Sequence, residues 1–590
     1  MFEQEKAHLE SALRAFLKEQ DVPALADIQW SQIPFSGEWG VSTSFFQAAA
    51  NEARAGKKVN VPQRAAELAE GAAAHLGLPA GFSRVEAVKG YLNLYFAAPD
   101  YAARVIAEAL GQGADYGQGA DSGQRMMVEF SQPNTHKAFH VGHLRNMILG
   151  AALANILEFA GHEIVRANYI GDFGKDVLKW MWNYRERHLG EEPPAEDVTR
   201  WMGDLYSEAN KQLDANPEQA EKEIQALFAA WEADDSDVHA LWAKTRQWSL
   251  DGFNQIYDVM GIHFDRIYYE SEMEKPSKQI VAKLIEDGIA IDERPDGPVI
   301  VKLDELLGNE QEHYRVLVLL RSDGSALYGA WDLALALTKF EEYELDKSIY
   351  VVDVRQSLHF EQVFKTLELA GYKDQVANVF HLPYEVVNLP GNVVLSSREG
   401  VVVLLEELIR EATIRSGEIV AEKNPELDAD TRAEVATAVG LAAMKYPMLA
   451  RENTKVATFD WEAALDFNGQ AAPYIQYAHV RANSILRRAE ADLDSVTAPS
   501  HEHSESEIEL IDRISQFPEI VQRAATEYKT LHITNYAFEL AKAFNDFYAN
   551  SPVLQADDAV RNFRLRLVAA AKVALANSLR LLGIQAPDVM

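Results

Sequence analysis

The stretch EFSQPNTHKAFHVGHLRN, residues 129–146, lies between an apolar run at 126–130 and a long alanine- and leucine-rich run that ends at Gly161. It reads as strand, loop and helix, with His140, Gly142 and His143 where the helix begins, and a β-rich run at 164–170 supplies a second strand. That is a βαβ unit. In such a unit a phosphate-bearing ligand sits beyond the carboxyl end of the first strand, against the free N–H groups and positive dipole end of the helix. A nucleotide is therefore expected to meet the two histidines. Their imidazoles can donate to charge developing on a phosphate, and Gly142, without a Cβ, lets a purine or sugar approach the backbone. Histidines three apart also serve as a cap plus a surface residue, and a metal pair would lack a third ligand at sensible spacing. The context that favours a nucleotide is the polar loop behind the strand, with Pro133, Asn134 and Lys137.

The segment resembles the HIGH motif of class I aminoacyl-tRNA synthetases, in the version carried by arginyl-tRNA synthetases, and the resemblance extends over nearly the whole chain. It implies a multidomain α/β protein: a Rossmann-like parallel-sheet catalytic domain, an N-terminal α+β domain and a C-terminal all-α helical bundle. It also implies ATP-dependent activation of L-arginine and transfer to the terminal 2′-hydroxyl of tRNA(Arg).

The composition of 590 residues, 48% hydrophobic and 25% charged, is that of an ordinary globular protein able to bury sizeable cores. No apolar run is long enough for a membrane span and no signal peptide is indicated, so neither a membrane nor secretion is expected. With no cysteine there is no disulfide and no thiolate metal site, which fits a cytoplasmic protein. A net charge of −34 argues against indiscriminate coating of nucleic acid, DNA included. A local basic stripe on such a body can still serve one specific RNA.

Taken in order, residues 1–112 read as an α+β unit, with "SGEWGVST" and "KGYLNLYF" resembling the family's N-terminal additional domain, which touches the tRNA near its D-loop corner. The near-repeat GQGADYGQGADSG at 111–123 lacks GxGxxG spacing and precedes the strand, so it reads as a linker. The catalytic domain is placed at 113–413. Within it Gly171, Asp172 and Gly174 are expected on the cleft rim, and a helical, acidic, tryptophan-bearing insertion at about 177–260 is expected to pack rather than to edit. Editing is poorly motivated, because a site that pairs a guanidinium rejects amino acids lacking one by ~10⁴ to 10⁵.

Tyr328 and Asp332 share one helical face, and Gln356 follows a β-rich run; unaided, the pair could equally be a helix-capping group. The resemblance places Tyr328, Asp332 and Gln356 on the arginine side chain, and Glu129 and Asn134 on its backbone groups. It assigns ATP to Asn134, Lys137, His140, Gly142 and His143, with Lys137, His140 and His143 catalytic. The KMSKS position holds Val394, Leu395, Ser396, Ser397 and Arg398, so neither lysine is present. Ser396, Ser397 and Arg398 are kept as ATP-binding candidates, and the family implies that Lys137 covers for the second lysine. Mg²⁺ is expected with the ATP phosphates; no zinc, haem or organic cofactor is expected.

Residues 414–590 read as almost wholly helical and resemble an anticodon-binding domain, with Tyr474 and Tyr477 as stacking faces and Arg481, Arg487, Arg488 and Arg561 as basic contacts. A packed bundle with solvated arginines fits the residues as well. His501 and His503 read as part of a polar loop and not as a metal site. The family is usually monomeric. Two other functions remain open at this point, an HxGH nucleotidyltransferase and a tRNA-binding paralogue without catalysis.

Overall fold

A computed structural model describes residues 3–23, 25, 27–33, 39–309, 311–389, 393–394, 404–489 and 501–590. Ser396, Ser397 and Arg398 lie outside the described residues. The chain forms two compact units: Met1–Tyr116 with Ala478–Glu519 and Glu539–Asn577, and Gly117–Tyr477 with Ile520–Phe538 and Ser578–Met590.

The second unit is organised by five strands, all parallel, in the spatial order Val379–Tyr384, Lys347–Asp353, Arg125–Glu129, Glu163–Ile170, Arg266–Tyr269. Arg125–Glu129, the helix Val141–Phe159 and Glu163–Ile170 are the expected βαβ unit. From the central strand Arg125–Glu129 the chain winds first one way across the sheet and later returns to the other side, so the order reverses between it and Lys347–Asp353. A parallel sheet opens a crevice at such a reversal, beyond the carboxyl ends of its strands. The helix Val141–Phe159 is buried on almost every side, which explains its run of apolar residues without a polar face. It approaches the sheet closely at Gly150, where a Cβ would come within 2.3 Å of Phe130.

The insertion consists of the helices Lys175–Asn183, Val198–Ala215, Pro217–Glu232 and Ser236–Met260. Trp180, Trp182 and Trp248 are buried in its core with Met202, Leu205 and Leu227, so the tryptophans pack as expected. A three-stranded antiparallel sheet of Ile291–Asp292, Val299–Lys302 and Val316–Leu320 follows. It leads into the helix Tyr328–Tyr343.

The other unit holds a four-stranded antiparallel sheet, ordered Trp30–Gln32, Gly40–Ser44, Tyr91–Phe96, Phe82–Val88. Phe82–Val88 and Tyr91–Phe96 form a hairpin, because Lys89 and Gly90 both take positive φ, 48° and 88°, and turn the chain in two residues. Part of the stretch read as a linker is anchored. Tyr116 is fully buried, its hydroxyl donates to the Ile514 carbonyl at 2.7 Å, and Asn577 Nδ2 donates to the carbonyls of Gly113 and Tyr116. Helices from the C-terminal third complete this unit, among them Asp558–Leu581 and most of Glu505–Glu527. Among the described residues no helix is long and apolar enough to cross a membrane.

Candidate active site

The loop after Glu129 is held in a conformation most side chains avoid. Ser131, Gln132 and His136 have φ of 80°, 48° and 62°, and such strain persists only where the surroundings over-determine it. The determinants are side chains from other segments. Asn146 Oδ1 accepts the Ser131 N–H at 2.6 Å, Asn168 Oδ1 the Gln132 N–H at 3.0 Å, and Ser249 Oγ the His136 N–H at 2.9 Å. Asn146 Nδ2 also donates to the Val351 carbonyl at 3.0 Å, tying the loop to the neighbouring strand at the reversal point. His136 is fully buried between the hydroxyls of Thr135 and Thr245, and burial with the nearby Arg246 drops its pKa to about 3. It is a strut of the loop.

His140 is the N-cap of Val141–Phe159, so the capping alternative is true and coexists with a place in the cleft. The Gly142 N–H donates to His140 Nδ1 at 3.0 Å, and the His140 N–H donates to His143 Nδ1 at 3.3 Å. Accepting at Nδ1 leaves each neutral ring its hydrogen on Nε2, as a donor. Burial, together with the neighbouring Lys137 for His140 and the neighbouring His140 for His143, lowers both pKa values, that of His143 strongly. The rings stack 4.0 Å apart and both line a cavity of about 730 Å³, along with Asn134, Lys137, Arg200 and Tyr206. Such a volume suits a nucleotide-sized ligand. Gly142 owes its identity to His140: a Cβ would lie 2.6 Å from the ring.

Lys137 does not point free. Its Nζ donates to Asp176 Oδ2 at 2.6 Å, and Lys179 holds the other oxygen at 3.0 Å. Burial would raise the Asp176 pKa, but the two ammonium groups outweigh it and bring it down to about 2. Asp172, expected on the rim, is fully buried instead, paired with Arg246 at 2.9 Å and accepting from Ser271.

Next to this cavity lies a cluster of acids. Tyr169, whose hydroxyl has no hydrogen-bond partner among the described residues, feels the charges of Asp332, Glu270, Glu129 and Asp172. Glu270 is pushed up to about 8 by burial and then by Asp332 and Asp172, with Lys137 working the other way. Asp332 accepts from His359 Nε2 at 2.5 Å, and the Tyr328 ring packs on His359 at 4.8 Å, so Tyr328 and Asp332 do share a face of Tyr328–Tyr343. Gln356 is exposed, just before the helix Ser357–Leu369. Glu129 is buried and ion-paired with the fully buried Lys339, and it also accepts from Gln132 Nε2 at 2.8 Å. Burial works against the Lys339 ammonium, yet Glu129 and Tyr350 outweigh it and its pKa is raised. Asn134 sits at the junction of cavity and acids. A Cβ at Gly171 would come within 2.1 Å of Asn134 Oδ1 and 3.3 Å of Glu270 Oε2.

Sequence reading missed Glu270, Tyr169, Lys339 and Asp176. For Glu270 the available signal was an acid directly after the apolar strand Arg266–Tyr269, at the cleft end of the sheet.

The basic candidates lie mostly on the helix Ala472–Ala489. Arg487, Arg488 and Tyr477 are exposed, and Tyr474 packs on Phe538 at 5.4 Å. Arg481 donates to Asn545 at 2.5 Å, and Arg561 donates to the Ala489 carbonyl at 3.4 Å.

Comparison with known families matches residues 105–461 to the catalytic domain of class I tRNA synthetases (R) and residues 475–590 to the DALR anticodon binding domain. The chain is 34% identical over 516 residues to the arginine–tRNA ligase of Treponema denticola, covering 86% of each protein. It is 35% identical over 508 residues to that of Bdellovibrio bacteriovorus, covering 85% of this chain and 86% of the relative. Among solved structures it is similar to Thermus thermophilus arginyl-tRNA synthetase, with TM-score 0.81, 28% identity, and coverage of 99% of this chain and 100% of the other.

Proposed function

The chain belongs to the class I arginyl-tRNA synthetases, and on that premise we propose how its residues divide the work. As an arginine–tRNA ligase it takes ATP, L-arginine and tRNA(Arg). The arginine carboxylate attacks the α-phosphate, pyrophosphate leaves, and the 2′-hydroxyl of the terminal adenosine then attacks the carbonyl of the adenylate, loses its proton and expels AMP. The first step needs no general base, since the nucleophile is an anion at neutral pH. Catalysis is positioning and charge stabilisation. His140 and His143 present two Nε2–H donors to phosphate oxygens, already neutral and oriented by the helix start. Lys137 leaves Asp176 for the pyrophosphate as charge builds there, with Ser396, Ser397 and Arg398 as the remaining ATP contacts.

Mg²⁺ is assigned to the triphosphate, where it neutralises phosphate charge. Of the two carboxylates that line the phosphate cavity, Glu407 is engaged by Arg200 and Asp204 is exposed and in no ion pair among the described residues, so Asp204 is the side chain that would meet the ion.

Asp332 and Glu270 take the guanidinium, framed by Tyr328, His359 and Gln356, and Asn134 reaches the arginine backbone. Glu129, held by Lys339, acts by fixing Gln132. The observation that carries this reading is Asn134 between two neutral imidazole donors on one side and, on the other, Glu270, whose pKa burial and then Asp332 and Asp172 push up. That arrangement seats an amino acid with a cationic side chain against a nucleotide phosphate.

The same proposal gives residues 113–413 catalysis, 1–112 the tRNA D-loop corner and 414–590 the anticodon. Arg487 and Arg488, with Arg481 and Arg561 behind them, would meet phosphates, and Tyr474 and Tyr477 unpaired bases. One chain is the proposed working unit, in the cytoplasm, where charged tRNA is consumed. Arginine-dependent ATP–pyrophosphate exchange, run with and without tRNA(Arg), is expected to require the tRNA. Exchange at full rate without tRNA would overturn the proposed coupling, and none under either condition would overturn the catalytic assignment.

A further inference from the structure

Away from the cleft, His501, His503 and Glu507 converge at the start of the helix Glu505–Glu527, with one donor atom from each within 4.8 Å of the other two. Glu507 is fully buried. Its Oε1 accepts from Arg564 Nε at 2.7 Å and lies 3.1 Å from His501 Nε2, and its Oε2 accepts the Ser504 N–H at 2.7 Å and lies 4.0 Å from His503 Nδ1. The His503 side chain is only 3% exposed, and neither of its ring nitrogens has a hydrogen-bond partner among the described residues; nor does Nδ1 of His501.

A neutral imidazole carries one N–H and one lone pair, and burying both unmet costs the desolvation of each. Stacking on Phe563, at 4.8 Å and 17°, orients the His503 ring but satisfies neither nitrogen. Something that accepts that lone pair would remove its share of the penalty.

We propose that His501, His503 and Glu507 form a binding site for a divalent transition metal of the zinc type. Two imidazoles and one carboxylate suit Zn²⁺ or Co²⁺ and not Mg²⁺ or Ca²⁺, which prefer oxygen ligands alone. Three protein ligands leave one position for water. Arg564 and the Ser504 N–H then serve as the outer partners that fix the carboxylate. His501 coordinates through Nε2 by carrying its hydrogen on Nδ1, the nitrogen now without a partner. The ion would join the loop before Glu505–Glu527 to the helix Asp558–Leu581 through Phe563 and Arg564, within one compact unit. Its role there is structural. This replaces the reading of the two histidines as a plain polar loop.

The test uses the full-length chain, stripped with a chelator and titrated with Zn²⁺ or Co²⁺ alone. One equivalent should bind with micromolar or tighter affinity, Co²⁺ should show the visible bands of a four-coordinate site, and the thermal midpoint should rise by several degrees. His501→Gln and His503→Gln should each weaken binding by about 100-fold and abolish the Co²⁺ bands, with arginine-dependent exchange retained. Should either variant fail to fold, the wild-type Co²⁺ spectrum and stoichiometry decide. No saturable binding by the stripped wild type at micromolar metal, or wild-type binding in folded His503→Gln, would overturn the proposal.

Discussion

At the phosphate end of the cleft, the histidine Nδ1 atoms are taken by backbone N–H groups and both rings are neutral. At the end proposed for the guanidinium, Glu270 lies near Asp332 and Asp172 with its pKa pushed up to about 8, and the Tyr169 hydroxyl has no partner among the described residues. The first end is preorganised for charge that develops only in the transition state. The second holds an acid whose ionisation, on the proposed reading, the cationic ligand itself would favour. Binding energy at the two ends should therefore be spent differently, on kcat at one and on arginine affinity at the other.

The sharpest attempt to break this division is His143→Ala, which removes one oriented donor. It should lower the adenylation kcat by ~10² to 10³ while leaving arginine affinity nearly unchanged. Single-turnover kinetics and titration with arginine measure the two separately. An equal loss in both would mean that the ends are not independent.

Asp332→Asn makes the converse cut, keeping an acceptor for His359 but removing the charge. Arginine should bind ~10- to 100-fold more weakly, with ATP binding little altered, because a charge-assisted contact becomes a neutral one. Equal arginine affinity by calorimetry would remove Asp332 from the pocket.

The third effect is a pH dependence confined to the guanidinium end. With its pKa raised to about 8, Glu270 holds a proton below that pH, whereas a bound guanidinium needs the anion. Arginine binding must then release a proton. Affinity should rise with pH from about 6 to 8, by at most roughly tenfold per unit, and level off above. Glu270→Gln should bind less tightly at pH 8 and show a flat profile. Titration in buffers of different ionisation enthalpy counts the proton, and zero protons released by the wild type at pH 7 would refute the assignment.

The smallest effect concerns Lys137, a tethered group at the phosphate end. Asp176→Asn frees Lys137 from the carboxylate it must otherwise leave, so KM for ATP should fall a few-fold. A rise in KM would make Asp176 a residue that positions Lys137 for the phosphates instead of one that holds it away.

How legible each end was follows from how far apart its residues lie in the chain. His140, Gly142 and His143 span one helix start, and their cap geometry depends on spacing that the sequence displays directly. The strained loop before them was not legible. Its positive φ values fall on Ser131, Gln132 and His136 rather than on glycines, and they are imposed by Asn146, Asn168 and Ser249 from elsewhere. Tyr328 and Asp332 could be placed on one face by helical spacing, but His359 joins them only through folding.

By itself the sequence determined the βαβ unit, the paired histidines at its helix start, the helical insertion with packed tryptophans and the helical C-terminal third. Each depends on periodicity or on neighbours a few residues away, which the order of residues encodes directly. Only the tertiary structure decided that Glu270 joins Asp332, that Glu129 belongs to Lys339, that Lys137 rests on Asp176, and that His501 and His503 meet Glu507. These outcomes depend on desolvation and charge between segments distant in the chain, and those quantities do not exist until the chain has folded.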